Sequence, residues 1–304
     1  MPSDMPTSPP SAAVRVAAVQ MVSGPDVTAN LAAAEALVER AAADGARLVL
    51  TPEYFCLMGL EETAKLRAAE ADGDGPVQRW LAATARRLGI WLIGGSVPLA
   101  SPVPGKVWNS LLVHAPDGTR AARYDKIHLF GFESGHERFA ESRTITPGDT
   151  PRVVDTEIGR VGLSICYDLR FPELYRGFGT VDLIVVPSAF TQTTGRAHWE
   201  PLLRARAIEN QCWVLAAAQG GTHPSGRTTH GHSMLIDPWG VIVDCLPEGP
   251  GVVGGALDPA RLASVRARLP ALEHRRPDPI CPTGRVAVAA SPAHLALDPV
   301  TSSA

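Results

Sequence analysis

The stretch Gly159-Arg-Val-Gly-Leu-Ser-Ile-Cys166-Tyr-Asp-Leu-Arg-Phe-Pro172-Glu-Leu-Tyr-Arg176 decides how this chain is read. Its first half, Val161 to Ile165, is short, apolar and partly β-branched, which is the pattern of a buried strand. Cys166 follows at once, and Pro172 and Glu173 come soon after. Proline fits the first turn of a helix, and a glutamate there meets the positive end of the helix dipole. The stretch therefore predicts a strand, a tight elbow and a helix, with a cysteine at the elbow. A thiol in that place lies close to backbone N–H groups, which can lower its pKa and cradle an oxyanion. The same residue also fits a buried structural cysteine, so the rest of the chain has to decide.

Working outward, the apolar runs alternate between strand and helix patterns. Arg15–Gln20, Leu48–Thr51 and Ile90–Ile93 read as strands, and Asp26–Ala43 and Val77–Leu88 as helices stopped by Gly45 and Gly89. Val107–His114 and Arg120–Ile127 flank Pro116-Asp117-Gly118 as a hairpin. Phe130–Asp149 reads as a long loop, of the length that tends to be functional. Beyond the elbow, Val181–Val186 and Cys212–Ala218 read as strands around the amphipathic Ala197–Asn210. A second hairpin turns at Asp237-Pro-Trp-Gly240, and Asp258 caps a last helix through Leu269. Hairpins interrupt the alternation, which argues against a purely parallel α/β repeat and fits two packed sheets with helices outside. With no repeat and no clear linker, one domain is expected over residues 14–278, between a Pro- and Ser-rich tail at 1–13 and a tail at 279–304.

Composition narrows the class. A net charge of −3 and scattered Lys and Arg give no pull toward nucleic acid or an anionic membrane. No run reaches the length of a membrane span, and the N-terminus lacks the pattern of a secretory signal. The 5 cysteines, Cys56, Cys166, Cys212, Cys245 and Cys281, are widely spaced without C-x-x-C, which suits a reducing cytoplasm and neither a disulfide framework nor a zinc knuckle. His128, His230 and His232 have no metal-site spacing and are expected to be structural.

Three reactive side chains share one placement: Glu53, Lys126 and Cys166 each follow a strand at once. Strand ends in open α/β sheets are where sites gather, and together these three supply a base, a cation and a nucleophile. The strings PEYF, YDKIHLF and ICYDLRFPELYR that carry them resemble the signature blocks of the nitrilase superfamily of carbon–nitrogen hydrolases. The resemblance implies an α-β-β-α sandwich, a Glu53-Lys126-Cys166 triad, homodimers or larger homo-oligomers, and chemistry without metal or cofactor. FAESRTITPGD resembles an amidase-branch block and implies a further acid at Glu141, leaving Glu133 and Glu137 solvated. AHWE, AAAQGG, GHSMLIDPWG and HRRPD resemble the branch that hydrolyses deaminated glutathione. Omega-amidases acting on 2-oxoglutaramate, and other small aliphatic amidases or nitrilases, are the enzyme alternatives. A catalytically silent binding protein of the same fold is the non-enzyme alternative.

The residue types imply a mechanism. Glu53 serves as general base, Cys166 forms a thioester, and Lys126 with the Tyr167 N–H stabilises the oxyanion. By the resemblance, Arg170 meets a substrate carboxylate, against a structural salt bridge to Glu173, and Phe190 and Thr194 line the substrate loop. Lys126 and Glu141 fall on strand ends or loops and are expected to be dispensable for folding.

Overall fold

The strand alternation of the sequence sorts side chains between two layers of core. In the computed structural model, which describes residues 12–134 and 137–276, β1 (Val14–Gln20) sends Val16 and Ala18 to one side and Ala17 and Val19 to the other. Its Asp26-capped neighbour α1 (Val27–Ala43) begins with the Asp26 carboxylate accepting the Ala29 N–H at 3.0 Å. β2 (Leu48–Leu50) divides in the same way, Leu48 and Leu50 against Val49. After the short α2 (Ala64–Arg67), α3 (Pro76–Leu88) starts on proline and ends at Gly89 with φ of 63°. α1 and α3 cover Ala17, Val19, Val49 and Leu92 with Ala34, Val38, Leu81 and Ala85. β3 (Trp91–Ala100), β4 (Val107–His114) and β5 (Arg120–Asp125) complete this half as an antiparallel meander.

The segment expected as one long loop carries a small sheet of its own. β6 (Gly131–Ser134) and β7 (Glu137–Ala140) form a hairpin, followed by a 3₁₀ turn at Glu141–Arg143. Phe130 supplies the reason: its ring stacks 6.0 Å from Phe132 and lies 5.5 Å from Phe139, so aromatic burial holds the hairpin. Glu133 is exposed as expected; the side chain of Glu137 lies outside those described.

The second half repeats the plan. β8 (Arg152–Thr156), β9 (Gly159–Leu163), the short α4 (Pro172–Gly177), β10 (Leu183–Ser188), α5 (Gln192–Asn210) and β11 (Trp213–Ala218) follow in order. β12 (Gly220–Thr222) pairs with β13 (Thr228–His230), then come β14 (Ser233–Ile236), β15 (Ile242–Leu246), β16 (Gly251–Leu257) and α6 (Pro259–Arg268). β10 runs past the point where the sequence suggested an end. Its pairing with β9 stops at Val185, so the N–H that Pro187 lacks has no partner on that side.

The two main sheets have the orders β16-β1-β2-β3-β4-β5 and β15-β14-β11-β10-β9-β8. One continuous core joins Val16, Leu50 and Ile93 of the first to Leu163, Val185 and Leu215 of the second, with helices outside each. This is the expected α-β-β-α sandwich. β16 was not legible because it is rich in glycine. A Cβ on Gly254 would stand 2.3 Å from the Val16 carbonyl oxygen, so the close pairing with β1 requires glycine there. These elements form one compact unit ending at Leu272; of the second unit, from Glu273, only residues 273–276 are described, and the expected boundary at 278 lies outside them.

Candidate active site

Within each main sheet the central strands run parallel, β1, β2 and β3 in one and β9, β10 and β11 in the other. Their carboxyl ends deliver Glu53, Cys166 and Ala189 to one place. β2 ends in Thr51-Pro-Glu53, and the chain turns sharply at Tyr54, whose φ is 57°. Across from it β3 bulges at Gly95, whose N–H donates to Thr51 Oγ1 at 2.9 Å. At the predicted elbow Cys166 has φ of 49°, a left-handed conformation that costs a non-glycine residue energy and is kept only where surrounding bonds enforce it.

Asp168 enforces it. The carboxylate is fully buried; Oδ2 accepts from the Ile165 N–H at 2.8 Å and the Tyr124 hydroxyl at 2.7 Å, and Oδ1 from the His128 N–H at 3.0 Å. His128 Nδ1 lies 2.8 Å from Oδ1 and its ring stacks on Phe171 at 3.8 Å, so His128 braces the elbow as expected of a structural histidine. The helix after the elbow opens as a 3₁₀ turn, Cys166–Arg170, before α4 begins at Pro172.

Lys126, at the end of β5, is fully buried between two carboxylates. Its Nζ donates to Glu53 Oε1 at 2.9 Å and to Glu141 Oε1 and Oε2 at 3.0 and 2.8 Å. An ammonium has three N–H donors, so all are committed to the two acids. Burial pulls the Lys126 pKa down, but Glu141 and Glu53 outweigh it and hold the ammonium well above its ordinary value. For Glu141, burial pushes up and the Lys126 charge pulls down harder, leaving the carboxyl below its ordinary value. Glu141 also accepts from the Tyr54 hydroxyl at 2.9 Å and the Phe130 N–H at 2.7 Å.

Glu53 is held by two groups that sequence reasoning missed. Asn109 Nδ2 donates to Oε1 at 3.0 Å and the Ala189 N–H to Oε2 at 3.0 Å. The same backbone amide is among the groups that pull the Cys166 pKa down, so it acts on both the acid and the cysteine. Asn109 had a signal: asparagine is depleted in strand interiors, and it sits within Val107–His114. The Ala189 amide had none. Burial first, and the Glu53 charge second, push the Cys166 thiol well above its ordinary pKa against the opposing pull of Lys126. At rest Cys166 is thus a neutral thiol beside Glu53.

Over Cys166 lies a slot of about 10 Å³, room for one water-sized group. Tyr167, Arg170, Phe190 and Thr194, all singled out from sequence, line it together with Glu53 and Glu141. Arg170 does not pair with Glu173 among the described residues. Its guanidinium lies 5.6 Å from the Tyr167 ring and 5.3 Å from the Phe190 ring, and contacts His198 Nδ1 at 3.0 Å. The Thr194 hydroxyl is 2.9 Å from that of Thr191, the cap of α5. His230 and His232 stack at 4.2 Å, and among the described residues no group of three or more His, Cys, Asp or Glu is placed to hold a metal. No helix of the described residues is long and apolar enough to cross a membrane.

This arrangement has relatives. The deaminated glutathione amidase of Synechocystis sp. is 44% identical over 265 residues, which are 85% of this chain and 97% of that protein. The NitFhit protein of Caenorhabditis elegans superposes with a TM-score of 0.81 at 40% identity, over 88% of this chain and 66% of that one. Nit3 of Saccharomyces cerevisiae, a member of branch 10 of the nitrilase superfamily, gives 0.78 at 32% identity, over 88% and 97%. The carbon-nitrogen hydrolase profile matches residues 15–267, a span that takes in both sheets and all of Glu53, Lys126, Glu141 and Cys166; the chain belongs to the carbon-nitrogen hydrolase family.

Proposed function

We propose that this enzyme is a thiol amidase that splits deaminated glutathione into 2-oxoglutarate and cysteinylglycine. The observation that carries the chemistry is a neutral, buried thiol at a strained elbow, beside a carboxylate that the Ala189 N–H, Asn109 and Lys126 hold in place. Glu53 takes the Cys166 proton as sulfur attacks the amide carbon. The tetrahedral intermediate collapses, the C–N bond breaks, and Glu53 returns the proton to the departing amine. Water then gives a proton to Glu53 and attacks the thioester, releasing the acid and restoring the thiol.

The Lys126 charge and the Tyr167 N–H stabilise the oxyanion, each donor contributing about 3–4 kcal/mol in the transition state. Because Glu141 takes two of the Lys126 N–H groups, direct donation to the oxyanion requires one of those bonds to open. Glu141 therefore sets the position of the ammonium. Arg170, flanked by Tyr167 and Phe190, presents a guanidinium to the slot and suits the carboxylate of the 2-oxo-acid end.

Similarity to deaminated glutathione amidases supports the long substrate. A direct competition between deaminated glutathione and 2-oxoglutaramate, following cysteinylglycine and ammonia separately, tests it. A higher kcat/KM is expected for deaminated glutathione; equal values or the reverse would move the enzyme to the omega-amidase reading with the Cys166 chemistry unchanged.

The hydrolase domain is taken as residues 14–278, which the profile match and the compact unit support. The described cysteines, Cys56, Cys166, Cys212 and Cys245, are free thiols, in keeping with a reducing cytoplasm. For the homo-oligomer, the supporting feature is an apolar patch. Trp239 and Val241 are about half exposed on the β14–β15 turn, and Ile208 of α5 abuts Gly240 between them. Light scattering should give at least a dimer.

A further inference from the structure

The slot over Cys166 does not end at its own walls. Phe130, Glu141 and Arg227 line it and also line a larger neighbouring cavity of about 250 Å³. The two spaces have different chemistry. Arg170, Phe190 and Thr194 belong to the slot alone, whereas Lys65, Leu57 and Phe139 belong to the neighbour alone. In a substrate attacked by Cys166, the acyl group and the leaving group extend to opposite sides of the scissile bond. Taking Arg170 to hold the acyl end, as proposed above, leaves the larger cavity for the leaving group.

Two cations face this cavity. Arg227 donates from Nη2 to the Ala189 carbonyl at 2.7 Å, and its guanidinium lies 5.1 Å from the Phe139 ring centre. Its Nε is buried without a hydrogen-bond partner, and among the described residues no carboxylate pairs with it. An orphaned guanidinium donor is costly unless something fills it. Lys65 reaches in from α2: its ammonium donates to Thr144 Oγ1 at 3.2 Å and lies 5.8 Å from the Tyr54 ring centre. Burial lowers its pKa against the opposing pull of Glu141 and Glu62, the mark of a cation short of solvent. Of the acids that line it, Glu141 is committed to Lys126, and Glu61 and Glu62 are exposed, so water screens them.

We propose that Arg227 and Lys65 form an anion subsite on the leaving-group side of Cys166, which receives the terminal carboxylate of the departing dipeptide. This deepens the amidase reading and rests on it for the identity of that dipeptide. The subsite makes the enzyme selective for amides whose amine portion ends in a carboxylate, because that remote contact is carried into the transition state.

The test compares deaminated glutathione with its analogue in which the glycine carboxylate is a carboxamide. The acid is expected to have the higher kcat/KM by about 10- to 100-fold, the value of a hydrogen bond to a charged group. In Arg227→Met and in Lys65→Met this acid-to-amide ratio should fall toward one. The ratio is taken within one variant, so a partly folded sample does not distort it. A wild-type ratio near one, or a ratio that survives both substitutions, overturns the subsite.

A second readout does not depend on the long substrate being turned over. Cysteinylglycine should inhibit ammonia release from 2-oxoglutaramate more strongly than cysteinylglycinamide does, and both substitutions should erase the difference. Poor turnover of the long amide with this preference intact would sink the substrate assignment and keep the subsite. Equal inhibition by the two dipeptides would sink the subsite alone.

Discussion

Replacing Lys126 with methionine removes a cation that touches two buried carboxylates. The Lys126 side chain is fully buried, and those of Glu53 and Glu141 are 1% and 13% exposed. Removing one partner from a buried ion pair costs about 3–5 kcal/mol, chiefly because the other charge is left uncompensated. At roughly 2 °C per kcal/mol for a chain of this size, Tm at pH 7 should fall by about 6–10 °C. This departs from the dispensability that strand-end and loop positions suggest, and burial is the reason.

The pH dependence follows from the two shifts. The Glu141 carboxyl is depressed, so its contribution is present above the ordinary carboxylate pKa and lost as pH falls through the depressed one. The Lys126 ammonium is raised, so its contribution is present below the ordinary lysine pKa and lost as pH rises through the raised one. The wild-type cluster is therefore at full strength between about pH 5 and about pH 10. In Lys126→Met the Glu141 carboxyl loses the charge that depresses it and titrates upward, and the Tm gap to wild type should narrow from pH 7 to pH 5. Adding Glu141→Gln should recover some of the loss. Differential scanning calorimetry of the three proteins at both pH values reads this. An unchanged Tm in Lys126→Met at pH 7, or a gap that widens on acidification, would refute the ion-pair account.

Cys166→Ser should fold normally and retain less than about a hundredth of wild-type turnover, since Glu53 is a weak base for a hydroxyl; a steady-state amide assay measures it. Glu53→Gln removes a negative neighbour from the Cys166 thiol, so thiolate absorbance at this cysteine should appear at lower pH than in wild type; an upward shift would contradict the assigned causes. Asp168→Ala strands the Ile165 N–H, the His128 N–H and the Tyr124 hydroxyl, and should cost about 3 kcal/mol or more in chemical denaturation while also lowering kcat. A variant as stable as wild type would show that the elbow does not depend on this carboxylate.

Local features were legible along the chain. Alternating apolar runs marked most of the strands, Asp26 and Asp258 marked helix starts, and Gly45 and Gly89 marked stops. The placement of Glu53, Lys126 and Cys166 just after strands was equally local, and long strings around each carried the family. These features are legible because side-chain periodicity and capping act over a few neighbouring residues. What the tertiary structure alone decided lies between distant segments. The Ala189 N–H reaches a carboxylate 136 positions earlier in the chain, and Tyr54 meets Glu141 across 87. Arg170 faces His198 where local spacing offered Glu173. Arg227 reaches the slot over Cys166 with its guanidinium bonding the carbonyl of Ala189, just past β10. Such partners are chosen by how two sheets and a hairpin pack, and no periodicity along the chain records a meeting that only the packed layers bring about.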